Sequence, residues 1–170
     1  MTEAANMEYI KLYNGVEMPM LGFGVFQIPD HEEAKRAVLA APMVNQAEMH
    51  PFFQQGKNLE TMKEYGVVPE AWAPFDEGLR NIFLGPVLTG IGKKYGKSAA
   101  QVALRWNLQR GVVVIPKSVH EERIRENSDV FDFTLSEDDM KAIAAMDIGH
   151  GEIVDHFDPH WIRMLHNYKF

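Results

Sequence analysis

Val112, Val113, Val114 and Ile115 are four β-branched residues in a row, closed by Pro116. Branching at Cβ suits the extended chain. A short apolar run with no polar alternation predicts a strand buried on both faces. Pro116 cannot donate to a ladder, so the strand must stop there. Lys117 and Ser118 sit where it stops. Glu121 to Asn127 then has helical composition, with Arg123, Glu126 and Asn127 spaced i, i+3 and i+4 on one face. Strand, loop and helix of this kind can surround an anion. Lys117 and Arg123 supply charge, Ser118 a hydroxyl, and the first helical turn free N–H groups. The same residues also fit ordinary surface cations on a sheet connection, and both readings stand at this point.

The rest of the chain alternates in the same manner. Tyr9 to Leu12 and Val16 to Met18 flank Asn14-Gly15, the strongest two-residue hairpin signal, because both positions tolerate positive φ. Met20 to Phe26 is an apolar strand carrying Gly22 and Gly24. Asp30 can cap a helix from His31 to Ala41. Further strands are expected at Met43–Met49 and Val67–Ala73, with a helix from Lys57 to Tyr65 stopped by Gly66. A polar loop follows over Asp76–Phe83. Helices are expected over Gly85–Tyr95 and Ser98–Gln109, the latter capped by Ser98. Ser136, with Asp139 three residues on, opens a last helix whose apolar face is Met140, Ile143 and Met146. From Asp147 the tail reads as an irregular surface segment. Four βα units, at Met20, Met43, Val67 and Val112, predict an α/β fold with mainly parallel strands. One junction is abrupt. Helix-to-strand connections take roughly 2–6 residues, yet Ala40-Ala41-Pro42 leaves almost none.

A chain of 170 residues suffices for one domain with a core. Its net charge of -7 argues against nucleic acid as a partner, since no basic surface dominates. The sequence has no Cys, which removes disulfides, zinc-thiolate sites and thiol nucleophiles, and which fits a reducing cytoplasm. No signal-peptide core and no long apolar run are visible, so no membrane partner is expected. His150, Asp155, His156, Asp158, His160 and His166 are dense enough in the tail to consider a metal site. A solvated tail is the competing reading, and no metal ligand is assigned.

Several motifs, in order, resemble the aldo-keto reductase family. They are Asn14-Gly15-Val16-Glu17-Met18-Pro19 with Leu21-Gly22-Phe23-Gly24, then Val44-Asn45-Gln46 with Glu48 and His50-Pro51. Ala71-Trp72-Ala73-Pro74 follows, then Ile115-Pro116-Lys117-Ser118 with Arg123 and Glu126-Asn127, and the Asp155-His156 tail. Gly22 to Asp30 and His50 to Gln55 are similar to bacterial diketogluconate reductase and prostaglandin F synthase-like members. The resemblance implies a TIM barrel, NADP(H) as cofactor, a small carbonyl substrate and a cytoplasmic oxidoreductase. It implies that Lys117, Ser118 and Arg123 hold the 2′-phosphate, with Val119 beside them, and that Glu126 and Asn127 hold the adenine. Gln46 would bond the nicotinamide carboxamide, Trp72 would stack on its ring, and Gly24, Val25 and Phe26 would line the cofactor.

The departure from the family is large. A full barrel needs eight βα units and typically ~250 residues. Here the first unit, within 1–41, runs into what resembles the sixth, and 42–170 holds the last three and the tail. The whole, 1–170, is expected to be a single incomplete barrel. The missing block would carry the family's Asp, Tyr, Lys and His tetrad, so no catalytic residue is assigned. Cofactor binding with little or no turnover is expected. The alternative is a non-catalytic NADP(H)-binding or assembly module, homo-oligomeric through open strand edges.

Overall fold

The structure is a computed structural model and describes residues 9–11, 17–19, 44–153, 159–160 and 163–164. β1 (Tyr9–Lys11) pairs antiparallel with β2 (Glu17–Pro19), in the register Tyr9 to Pro19, as the hairpin signal between them requires. The strand expected at Met20–Phe26, the helix at His31–Ala41 and the Ala41-Pro42 junction lie outside the described residues. So do Gly24, Val25 and Phe26.

The described sheet is three-stranded and parallel. β3 (Val44–Glu48) pairs with β4 (Val68–Trp72), and β4 pairs with β5 (Val113–Val114). Helix α1 (Gly56–Glu64) crosses from β3 to β4. Its Leu59 packs with Val114 against Met49, Ala71 and Val112, which forms a small core on one face of the sheet. After β4 the chain runs through a 3₁₀ segment over Asp76–Asn81. Then come α2 (Pro86–Tyr95), α3 (Ala99–Gln109), α4 (Glu121–Ser128) and α5 (Glu137–Ala144).

The main core is helical. Trp106, Val102 and Ala103 of α3 meet Leu88 and Ile91 of α2 and Ile143 of α5, all nearly solvent-free. Gly92 allows the close turn between α2 and α3, because a Cβ there would lie 2.3 Å from the Lys97 carbonyl oxygen. Ser98 and Ser136 form the expected caps, each within a full capping box completed by Gln101 and Asp139. Burial would raise the Asp139 carboxyl. Hydrogen bonds from Lys94, Tyr95 and Ser136 outweigh it and hold it at about 2.

Three expectations need correction. The Val112–Ile115 run is not buried on both faces. Val112 is buried, but Val113 is 42% and Ile115 44% exposed, and only two residues form the strand. In the parallel register, Val44, Gln46, Val68, Glu70, Trp72, Val113 and Ile115 share the face opposite the α1 side. No described helix covers that face, so β-branching reports strand and not burial. The Asp76–Phe83 loop contains a 3₁₀ segment, with non-glycine residues Asp76, Glu77, Arg80 and Asn81 at positive φ. The tail is not wholly irregular or superficial. Gly151 is buried, and Pro159, His160, Arg163 and Met164 are helical.

Candidate cofactor site

α4 carries no buried residue of its own. Its position depends on polar ties to α3. Gln101, itself buried, donates from Nε2 to the carbonyls of Asp129 (2.8 Å) and Glu126 (3.2 Å) at the end of α4. Lys97 pairs with Asp129 and Asp132, each at 2.8 Å. These ties hold one face of α4 beside the loop that follows β5. Between them and the segment after β4 lies an open cavity of about 540 Å3. Lys117, Ser118, Val119, His120, Arg123, Glu126 and Asn127 line it together with Phe75, Phe83, Leu84, Ser98, Ala99 and Ala100. All six residues selected from the Gly111–Asn127 stretch thus meet at one cavity. Its lining combines apolar side chains with two cations, a hydroxyl and a carboxylate-amide pair, a mixture suited to a flat ring and an anion together. Ser118 Oγ accepts the His120 N–H at 3.1 Å, which shapes the loop into the start of α4.

Gln46 and Trp72 do not line this cavity. They lie on the sheet face opposite α1. Gln46 Nε2 donates to Glu70 Oε1 at 2.5 Å across the β3–β4 pair, and Trp72 is half-buried at the end of β4, in register with Glu48.

A second polar cluster was not anticipated from the sequence. His50 Nε2 lies 3.1 Å from Glu48 Oε1 and 3.4 Å from Asp76 Oδ1, and the three residues are 0%, 5% and 0% exposed. The Asp76 contact is an ion-pair distance without hydrogen-bond alignment. Both Asp76 oxygens, Glu48 Oε2 and His50 Nδ1 have no hydrogen-bond partner in the structure. Burial pushes the Asp76 carboxyl up. His50 opposes that, Glu152 and Glu48 add to it, and Arg80 opposes it. Gly151 closes the cluster, because a Cβ there would sit 2.8 Å from Glu48 Oε1. Arg80 pairs with Glu152 beside it. Among the described residues no group of His, Asp or Glu has metal-binding geometry. Asp155, His156, Asp158 and His166 of the tail fall outside them.

The pattern of the aldo/keto reductase family matches residues 20–148, more than half of the chain. This chain belongs to the aldo/keto reductase family. It is 45% identical over 136 residues to a glyoxal reductase of Bacillus subtilis (strain 168), covering 80% of this chain and 49% of that one. It is 40% identical over 134 residues to a 9,11-endoperoxide prostaglandin H2 reductase of Trypanosoma cruzi (strain CL Brener), covering 78% and 47%. Among solved structures, a mutant of Gox0644 in complex with NADPH superposes with a TM-score of 0.66 at 37% identity. That match covers 82% of this chain and 48% of that one. The chain spans about half the length of the relatives it matches. Among the described residues no helix is long and apolar enough to cross a membrane.

Proposed function

We propose that this chain, 1–170, is a single partial aldo-keto reductase barrel that keeps the adenine-phosphate end of an NADP(H) site and has little or no carbonyl reductase turnover. The observation that carries the reading is the cavity that unites Lys117, Ser118, Arg123, Glu126 and Asn127. Its residues fit the group. Two cations and a hydroxyl converge where a 2′-phosphate needs charge, and Glu126 with Asn127 offers an acceptor and a donor to an adenine edge. Val119, 74% exposed, lies beside them at the rim. Gln46 would release Glu70 to bond the carboxamide, and Trp72 would offer its ring face to the nicotinamide. Gly24, Val25 and Phe26 would complete that end. NADPH, when bound, supplies hydride to a carbonyl carbon. The proton that must reach the carbonyl oxygen comes in the family from a Tyr supported by Lys, Asp and His. Those residues belong to the second to fifth βα units, which have no counterpart between Ala41 and Pro42, so no residue here takes that role. Gln46 and Trp72 can bind and orient, but they cannot replace the acid. With no Cys and a reductase lineage, we assign the chain to the cytoplasm.

Fluorescence titration with NADPH and NADH tests the cofactor half. NADPH should bind tighter, and Lys117→Ala or Arg123→Ala should remove that preference. Equal, weak binding of both nucleotides would overturn it. Steady-state reduction of glyoxal-type or other simple aldehydes at ordinary enzyme rates would overturn the loss of turnover.

One observation favours self-association as a second reading. Val44, Val68, Val113 and Ile115 form an apolar row 42–47% exposed on the face that no described helix covers, and β3 and β5 are the outer strands of the described sheet. Two copies related by a twofold axis along the strands could cover both faces. Light scattering that stays monomeric across a hundredfold concentration range would exclude it.

A further inference from the structure

We propose that Glu70 makes the nicotinamide end of this site discriminate by charge, holding NADP+ more tightly than NADPH. This rests on the NADP(H) reading above, with Gln46 and Trp72 as the nicotinamide contacts. Glu70 stands at the middle of β4, the central strand of the described sheet, level with Gln46 on β3 and with Val113 on β5. Trp72 is two residues further along the same strand, so both nicotinamide contacts neighbour Glu70 on one face. The other residues of that face, Val44, Val68, Val113 and Ile115, are aliphatic. Glu70 is half-buried and accepts from Gln46 Nε2 at 2.5 Å. Among the described residues it has no ion-pair partner. A carboxylate in an apolar row adds little to strand pairing. It gives a cationic ring laid on this face a counter-charge.

The nicotinamide ring is positively charged when oxidised and neutral when reduced. A neighbouring carboxylate therefore attracts the ring of NADP+ and not that of NADPH. Gln46 has to leave Glu70 for the carboxamide in both cases, so that cost cancels in the comparison. The Trp72 face also favours a cationic ring, but equally in every variant. Dissociation constants for NADP+, NADPH and 2′,5′-ADP, which lacks the nicotinamide, are compared by calorimetry for wild type, Glu70→Gln and Glu70→Asp. Glu70→Gln keeps the shape and can still bond Gln46, but carries no charge. The preference for NADP+ over NADPH should be roughly fivefold larger in wild type than in Glu70→Gln, a modest factor because the carboxylate is partly screened by solvent. Glu70→Asp should keep most of that preference, and 2′,5′-ADP should bind all three proteins alike. An equal NADP+ to NADPH ratio in wild type and Glu70→Gln, with 2′,5′-ADP still bound, would overturn the role of Glu70 and leave the adenine-phosphate reading standing. Failure of all three proteins to bind 2′,5′-ADP would overturn the cofactor reading and this inference with it.

Discussion

Glu48, His50 and Asp76 are sealed from water, whereas Lys117 and Arg123 stand exposed around an open cavity. Both groups hold ionisable side chains gathered near the ends of sheet strands from more than one element. The sealed group bears the cost of burial, leaves four polar atoms unpartnered, and relieves it by raising the Asp76 carboxyl. It ties the end of β3 to the segment after β4 and to Gly151 of the tail. Among the described residues the open group shows no such internal partners. Its cations are exposed, which is what the proposed anion site requires before its ligand arrives. Burial therefore separates charge that ties parts of the fold together from charge left open to solvent, which is where the proposed cofactor phosphate would meet it.

The largest expected effect is on the sealed side. His50→Ala takes the imidazole out from between two buried carboxyl groups and leaves Glu48 Oε1 without its partner. Breaking a buried pair in this way costs about 3–5 kcal/mol, at the low end here because Asp76 can take up a proton. Urea unfolding should show the loss, and an unchanged midpoint would mean that water already solvates the cluster. Arg123→Ala should do the reverse. Its loss of one charged hydrogen bond should weaken NADPH by roughly 1.5–3 kcal/mol and leave the unfolding midpoint in place, because the side chain is exposed. A stability loss comparable to that of His50→Ala would erase the distinction between the two groups.

The lid of the sealed cluster gives a smaller effect. Gly151→Ala would press a methyl to 2.8–2.9 Å from both Glu48 carboxylate oxygens. Glu48 is held against His50, so it can yield only by weakening that contact. Overpacking of this kind costs about 1–3 kcal/mol. Thermal melts should register it, with NADPH titration unaffected.

Local chemistry was legible in the sequence, and what depends on coverage was not. The capping boxes at Ser98 and Ser136, the α1 stop at Gly66 and the β1–β2 pairing around Asn14-Gly15 are decided within a few residues, and the structure has them. Six cavity residues were legible because they lie in one strand–loop–helix stretch. The exposure of Val113 and Ile115 was not, since four β-branched residues look the same whether or not something packs on them. The cluster of Glu48, His50 and Asp76 was missed for another reason. Its members come from a strand, its trailing loop and a 3₁₀ segment beyond the next strand. The signal in the sequence was a carboxylate, Asp76, directly after the apolar Ala73-Pro74-Phe75, where a buried charge needs a partner. Asking which cation or imidazole could reach it would have led to His50.

Asp76→Asn gives the smallest and most discriminating effect. The folded-state carboxyl is raised mainly by burial, with Glu152 and Glu48 adding to it against His50 and Arg80. A group raised on folding binds its proton more tightly in the folded than in the unfolded chain. Its contribution to stability is therefore fully present below the unfolded carboxyl range and is lost as pH rises through the folded value. Wild type should lose stability through that window on going from acid towards neutral pH. Asp76→Asn keeps the shape, carries no charge at any pH, and should flatten that segment of the stability curve. At neutral pH it should be at least as stable as wild type, because it no longer buries a second carboxylate beside Glu48. The comparison variant is Asp139→Asn, where the sign reverses. That carboxyl is held at about 2, so its contribution is present above the unfolded carboxyl range and disappears as pH falls towards 2. Opposite slopes for the two Asn variants, measured by urea unfolding across the acid range, would establish that this fold contains one carboxylate it uses and one that it only tolerates. Parallel slopes would mean that the Asp76 cluster is solvated after all.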